Sequence, residues 1–297
     1  MKVIVILNEG SGDSGKDAET DLVKEIRAAF DQAGLDAKLV NAEGPNLIKE
    51  TKTALAARPD AIVAAGGDGT VSAVASVLAG TDMPMGVLPL GTLNHFAKDL
   101  TIPLEIADAV QVIRQQQTLA VDIGRLNAHT FVNNSSLGVY PWVVKKREED
   151  ASDSHLGKNM SMLWACVHCM YQFPLSRVYL TVDDARKYEI KTPFIFIGNN
   201  EYHVNPSGFG DRHELNAGTL CVYTVRHDGR LGLLRLLCRI LLGKLHEEGT
   251  FERHLASKFQ IDSEESELSV AMDGEVMGVK TPLLYTTAPG DLKVIVP

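Results

Sequence analysis

The run Gly66-Gly67-Asp68-Gly69-Thr70 puts three glycines, a carboxylate and a hydroxyl into five positions. It follows the small apolar stretch 61–65 and precedes a helical pattern at about 70–78. Glycines let a backbone pass close to a ligand and adopt conformations closed to other residues. A helix that starts here turns its unpaired N–H groups and the positive end of its dipole back toward the loop. That end is a seat for phosphate oxygens. Asp68 would repel phosphate, so it suits a Mg²⁺ contact or an anchor for the loop. The plain alternative is a tight turn capped by Asp68 or Thr70. The loop has neither the Gly-Lys-Ser/Thr of a Walker loop nor the spacing of a dinucleotide fingerprint.

The elements around the loop alternate. Strand patterns at 2–7, 37–40, 61–65 and 85–88 are separated by helical patterns at 17–33, 47–57 and 70–78, with another helix at 106–116. This order predicts an α/β domain with a largely parallel sheet. From about residue 119 the pattern changes to short β-rich runs at 120–125, 130–133, 178–182, 194–198, 219–224 and 268–272, many separated by Gly, Asn, Asp or Pro. A second, mostly antiparallel β domain follows from this, with helix inserted at about 159–171 and 231–242. We divide the chain at 1–119 and 120–283. The closing stretch 284–297, with a strand at 292–296, is free to return to either part.

Three further segments resemble one group of proteins. Pro89-Leu90-Gly91-Thr92-Leu93-Asn94-His95-Phe96-Ala97-Lys98 is similar to the P-x-G-T-x-N-D-x-A-R segment of diacylglycerol and sphingosine kinases. Asn8-Glu9-Gly10-Ser11-Gly12 resembles their N-P-x-S-G turn, and Met272-Asp273-Gly274-Glu275 resembles their D-G-E motif. The glycine loop resembles the GGDGT shared by these lipid kinases, NAD kinases and phosphofructokinases. With four motifs in order across most of its length, the chain is identified as a member of the diacylglycerol kinase and sphingosine kinase superfamily. The resemblance implies an NAD kinase/phosphofructokinase-like nucleotide domain, then a β-sandwich-like domain, with the active cleft between them. It implies ATP and Mg²⁺ as cofactors and a lipid alcohol such as diacylglycerol as acceptor. Asn8, Ser11, Gly12, Gly66, Gly67, Asp68, Gly69, Thr70 and Thr92 would line the nucleotide pocket. Asp273 and Glu275 are the candidate bases for the acceptor hydroxyl. We favour Glu275 as base, with Asp273 positioning it or contacting the metal, as Asp68 also could; against this, Asp273-Gly274 is a common β-turn pair.

Two departures stand out. His95 replaces the family's acid after Asn94. The stretch 215–220, Leu-Asn-Ala-Gly-Thr-Leu, matches an L-D-D-G-x-L loop that carries a structural Mg²⁺ in bacterial members, yet Ala217 and its neighbours offer no carboxylate, so that metal is expected to be lost. Rival readings are an NAD kinase and a non-catalytic nucleotide- or lipid-binding homologue.

The bulk properties narrow the field. The chain has 297 residues and a net charge of −9, which argues against nucleic acid as a partner. Cys166 and Cys169 form a C-x-x-C in apolar surroundings with no second pair at zinc spacing. No run reaches the 18 or so apolar residues of a spanning helix, and the start reads as a buried strand, so the expected compartment is the cytosol. The helix at 231–242, with Arg235 and Arg239 on one face, can either cover the β domain or lie on a membrane surface. The Lys145-Lys146-Arg147 cluster is largely cancelled by the three acids that follow it. The sequence leaves the oligomeric state open.

Overall fold

The computed structural model describes residues 1–8, 16–138, 176–183, 186–192, 194–205, 208–212, 214–225 and 251–297. Ser11, Gly12, the 145–147 cluster, Cys166, Cys169 and the expected helices at 159–171 and 231–242 lie outside the described residues.

The first part alternates as its sequence requires. β1 (Lys2–Leu7), α1 (Lys16–Gln32), β2 (Asp36–Asn41), α2 (Asn46–Ala56), β3 (Ala61–Gly66), α3 (Asp68–Leu78) and β4 (Met85–Pro89) follow in order, then the short α4 (His95–Asp99) and α5 (Ile106–Gln115). The four strands run parallel in the order β2-β1-β3-β4. β3 is buried at every position, which explains why its sequence is apolar throughout instead of alternating. Ligands of such sheets gather at the carboxyl ends of the strands. Here those ends lead into Asn8, Gly67 and Leu90. The helix after the glycine loop starts at Asp68, two residues before the expected Thr70.

The remaining described strands are β5 (Thr118–Leu126), β6 (His129–Phe131), β7 (Asn134–Gly138), β8 (Ser176–Val182), β9 (Arg186–Thr192), β10 (Phe194–Asn199), β11 (Val204–Asn205), β12 (Gly208–Phe209), β13 (Leu220–Val225), β14 (Phe251–Ala256), β15 (Lys258–Ser263), β16 (Glu267–Met272), β17 (Glu275–Lys280) and β18 (Leu283–Ile295). One antiparallel sheet has the order β14-β13-β10-β7-β16-β17. The parallel strands continue into antiparallel ones as β4-β18-β15-β8-β9, with β5 also paired to β18 and β6 to β5. The fold is therefore an N-terminal mixed α/β unit followed by an antiparallel β unit.

β18 corrects the expectation of a short last strand at 292–296. It runs for thirteen residues through Pro289-Gly290, a pair that reads as a turn. A register shift against β5 between Ala288 and Leu292 absorbs the interruption, and Gly290 takes φ +63 there. Two cores result. One holds Ile6, Phe30, Ile62, Leu78 and Ile113 under the helices; the other holds Phe131, Ile197, Val222, Phe259 and Ile261 between the sheets. β18 supplies Leu292 and Val294 to the first and Leu283 and Tyr285 to the second.

Candidate active site

The glycine loop is packed against the 89–95 segment. A methyl group on Gly91 would overlap the Cα of Gly67, and one on Gly66 would overlap the Thr70 side chain. Gly67 is the N-cap of α3 in extended conformation, and α3 has no side-chain cap. This helix end is thus left to whatever fills the cleft. Asn8 donates from Nδ2 to Thr70 Oγ1 at 3.0 Å, fixing the end of β1 to the first turn of α3. Asn94 adopts φ +50 and exchanges two bonds with Gly91, accepting its N–H at 3.0 Å and donating to its carbonyl at 2.7 Å. An asparagine suits this place because it tolerates the left-handed region and mimics a turn of backbone.

Asp68 is committed to α4. Its two oxygens accept the N–H groups of His95 and Phe96, each at 3.2 Å. A carboxylate at a helix N-terminus satisfies orphan donors and the dipole together. His95 thus meets Asp68 through its backbone, which any side chain at that position preserves.

The Asp273-Gly274 pair is a turn, and it is also part of the site. Asp273 (φ +46) and Gly274 (φ +93) close the two-residue hairpin between β16 and β17, where Met272 pairs with Glu275. The Asp273 carboxylate accepts four hydrogen bonds: from Ser72 Oγ at 2.6 Å, and from the N–H groups of Val132 at 2.8 Å, Asn133 at 2.8 Å and Asn134 at 3.1 Å. Burial raises its pKa above the ordinary carboxylate value, while these donors pull it down. Glu275 differs. It is exposed, and among the described residues no donor is bonded to it. Its Oε1 lies 4.0 Å from where a Cβ on Gly69 would stand. The hairpin therefore brings a free carboxylate to the first turn of α3.

Both carboxylates open on one cleft of about 1000 Å³. Asn8, Gly67, Gly69 and Thr70 line it at the start of α3. Gly44, Pro45, Leu47 and Ile48 from the start of α2 form an apolar wall, and the β5–β6 turn with Met277 lies opposite. Thr92 is exposed and, like Gly66 and Asp68, is not in the lining. Among the described residues no three His, Cys, Asp or Glu are grouped to hold a metal.

Sequence reasoning missed three residues. Ser72 bonds Asp273 from α3. Arg212 joins the two units from a buried position. Asp122 reaches the 215–220 loop: its carboxylate accepts Gly218 N–H at 2.6 Å and Gly290 N–H at 2.9 Å, and its own N–H donates to the Leu215 carbonyl at 2.7 Å. Each lies far along the chain from its partner, so local spacing carries no sign of it.

Two family models match the chain. A diacylglycerol kinase catalytic domain matches residues 2–126, and a YegS C-terminal NAD kinase beta sandwich-like domain matches residues 143–296. A diacylglycerol kinase of Staphylococcus carnosus is 32% identical over 130 residues, which is 42% of this chain and 42% of that protein. A Pseudomonas fluorescens protein named probable lipid kinase YegS-like is 27% identical over 93% of this chain and 92% of its own length. The matches to several other relatives span less than half of those proteins, 43% and 39% in two cases. A crystal structure of a diacylglycerol kinase from Bacillus anthracis str. Sterne superimposes with a TM-score of 0.73 at 23% identity, over 100% of this chain and 97% of that one.

Proposed function

The chain belongs to the family that joins a diacylglycerol kinase catalytic domain to a YegS-type C-terminal β-sandwich-like domain, and from that premise we propose that it transfers the γ-phosphoryl group of ATP to the hydroxyl of a lipid such as diacylglycerol. The observation that carries this reading is the unbonded Glu275 carboxylate standing over Gly69 at the N-terminus of α3. A phosphate seat and a candidate base face one another across one cleft. Residues 1–119 bind the nucleotide in this reading, residues 120–283 face the acceptor, and 284–297 serve both, pairing with β15 at Tyr285 and with β4 at Val294.

Phosphoryl transfer depends on positioning and charge neutralisation. The amides of residues 67–70 and the α3 dipole hold the phosphate oxygens. Asn8 keeps Thr70 in place. Mg²⁺ arriving with the nucleotide would supply charge neutralisation at the phosphates; of the two cleft carboxylates Glu275, and not Asp273 with its four donors, has an oxygen that could hold it, the other oxygen remaining for the proton. Glu275 accepts the proton of the acceptor hydroxyl while that oxygen bonds to the γ-phosphorus and the bond to the bridging oxygen of ADP breaks. Asp273 keeps the hairpin, and therefore Glu275, in register with α3. No helix among the described residues is long and apolar enough to cross a membrane.

The test is to incubate the protein with γ-labelled ATP, Mg²⁺ and a total bacterial lipid extract in mixed micelles, and to identify labelled products by mass spectrometry. Label in a lipid is the expected result. Label entering added NAD instead would move the chain to the NAD kinases. ATP binding without any labelled product would end the kinase reading.

A further inference from the structure

Arg212 stands between β12 and β13, outside the cleft lining, and its guanidinium is fully buried. Four of its five side-chain N–H groups donate to acceptors. Nε donates to Asp99 Oδ2 at 2.7 Å and its own backbone N–H to Asp99 Oδ1 at 3.2 Å. Nη1 donates to the carbonyls of Val132 at 2.8 Å and Asn199 at 3.0 Å, and Nη2 to Asn133 Oδ1 at 2.8 Å. The Tyr202 ring lies against the guanidinium at 5.2 Å.

The partners belong to the two halves of the site. Asp99 ends α4, and the first turn of α4 is the part that Asp68 holds through the His95 and Phe96 amides. Val132 and Asn133 are the residues whose amides hold Asp273. Asp273 in turn accepts from Ser72 on α3, the helix that begins at Asp68. The bonds close a ring: α3, Asp68, α4, Asp99, Arg212, the Val132–Asn133 link, Asp273, Ser72 and α3 again. Glu275 is two residues from Asp273 on this ring. A buried ion pair is poor evidence of stability, because apolar residues of similar size often serve as well. What a forked guanidinium with four side-chain bonds supplies is fixed geometry, which a lysine cannot reproduce.

We propose that Arg212 is a positioning residue for phosphoryl transfer, setting Glu275 against the phosphate loop by coupling α4 to the amides that hold Asp273. The inference rests on the kinase reading above. An error of about 1 Å in placing a reacting group can cost on the order of 100-fold in rate.

The test is a double-mutant cycle on turnover with γ-labelled ATP, Mg²⁺ and the total lipid extract, with ATP affinity measured by calorimetry in each variant. Arg212→Lys is expected to lower kcat by about 10- to 100-fold while the Kd for ATP stays within about twofold. In the Glu275→Gln background the same change should add little, because the base it positions is already gone. An equal fold-loss in both backgrounds, or a loss confined to ATP affinity, overturns the positioning role and leaves the kinase reading standing. Wild-type turnover in Glu275→Gln overturns this inference alone, since the group that Arg212 is said to position would not be the base; no transfer by the wild-type protein overturns the kinase reading and this inference with it. Should Arg212→Lys fail to fold, Asn133→Ala removes only the Nη2 acceptor and takes its place in the same cycle.

Discussion

Asp273 and Glu275 carry the same chemical group two residues apart and meet opposite surroundings. Asp273 is turned inward by its left-handed backbone and accepts four donors. Glu275 starts the next strand and is left in the cleft. A carboxylate whose lone pairs are all engaged is a poor base, so the two changes separate. Glu275→Gln keeps shape but cannot take a proton; turnover is expected to fall by about 10²–10⁴ with ATP affinity unchanged. Asp273→Asn sets an NH₂ against backbone donors, and it should lower stability by about 1–3 kcal/mol as well as turnover. Thermal melts beside kinetics distinguish them: a Glu275→Gln protein that turns over normally would move the base to Asp273. The D-G-E motif and its turn were legible in the sequence, and Glu275 as base remains the proposal to test. The anchoring of Asp273 was not, because Ser72 lies 201 residues away and the other three donors are backbone amides, which no residue type announces.

At the scale of elements, the α3 N-terminus can be tested at a single glycine. Gly69 lies in the first turn, and a Cβ there would meet only Glu275 Oε1, at an ordinary contact distance of 4.0 Å. Alanine is therefore compatible with the fold and should stabilise the helix by up to about 1 kcal/mol. The same methyl would stand in the phosphate seat. Gly69→Ala is expected to raise or hold the melting temperature while ATP affinity drops by about tenfold or more; unchanged affinity would move the phosphates off this turn. The 215–220 loop is the second element with a clear expectation. It brings no carboxylate, and the one that reaches it, Asp122, is engaged by the amides of Gly218 and Gly290. Metal analysis of nucleotide-free protein after dialysis should find no stoichiometric Mg²⁺, and retained Mg²⁺ that disappears in Asp122→Asn would place a site there after all. Helix and strand periods made the α/β elements readable to within two or three residues. Short elements were harder: α4 spans five residues, too few for a period to show, and Arg212 sits in an irregular run that reads as a solvated surface.

Across the whole molecule, the division into two units conceals a shared strand. β18 pairs in parallel with β4 at Val294 and antiparallel with β5 and β15, and its side chains enter both cores. The sequence left this stretch open because Pro289-Gly290 marks a break, and only the register shift against β5 shows that the strand continues through it. One strand in two cores couples their stabilities: losing β18 exposes the β4 edge of the first unit and the β15 edge of the second. The protein is expected to unfold in one calorimetric transition, with calorimetric and van't Hoff enthalpies in agreement. Leu292→Ala opens a cavity in the first core and Leu283→Ala one in the second, each at a cost of about 2–5 kcal/mol. Both variants should shift the single transition downward without splitting it. A fragment covering residues 1–126 lacks β18 and should show no cooperative melt, even though it contains the whole matched catalytic domain. Two resolved transitions, with Leu292→Ala lowering one and Leu283→Ala the other, would show that the units fold independently. Contacts such as those of Arg212 and Asp273 would then bridge the cleft between them, and saturating ATP should raise only the transition that Leu292→Ala lowers.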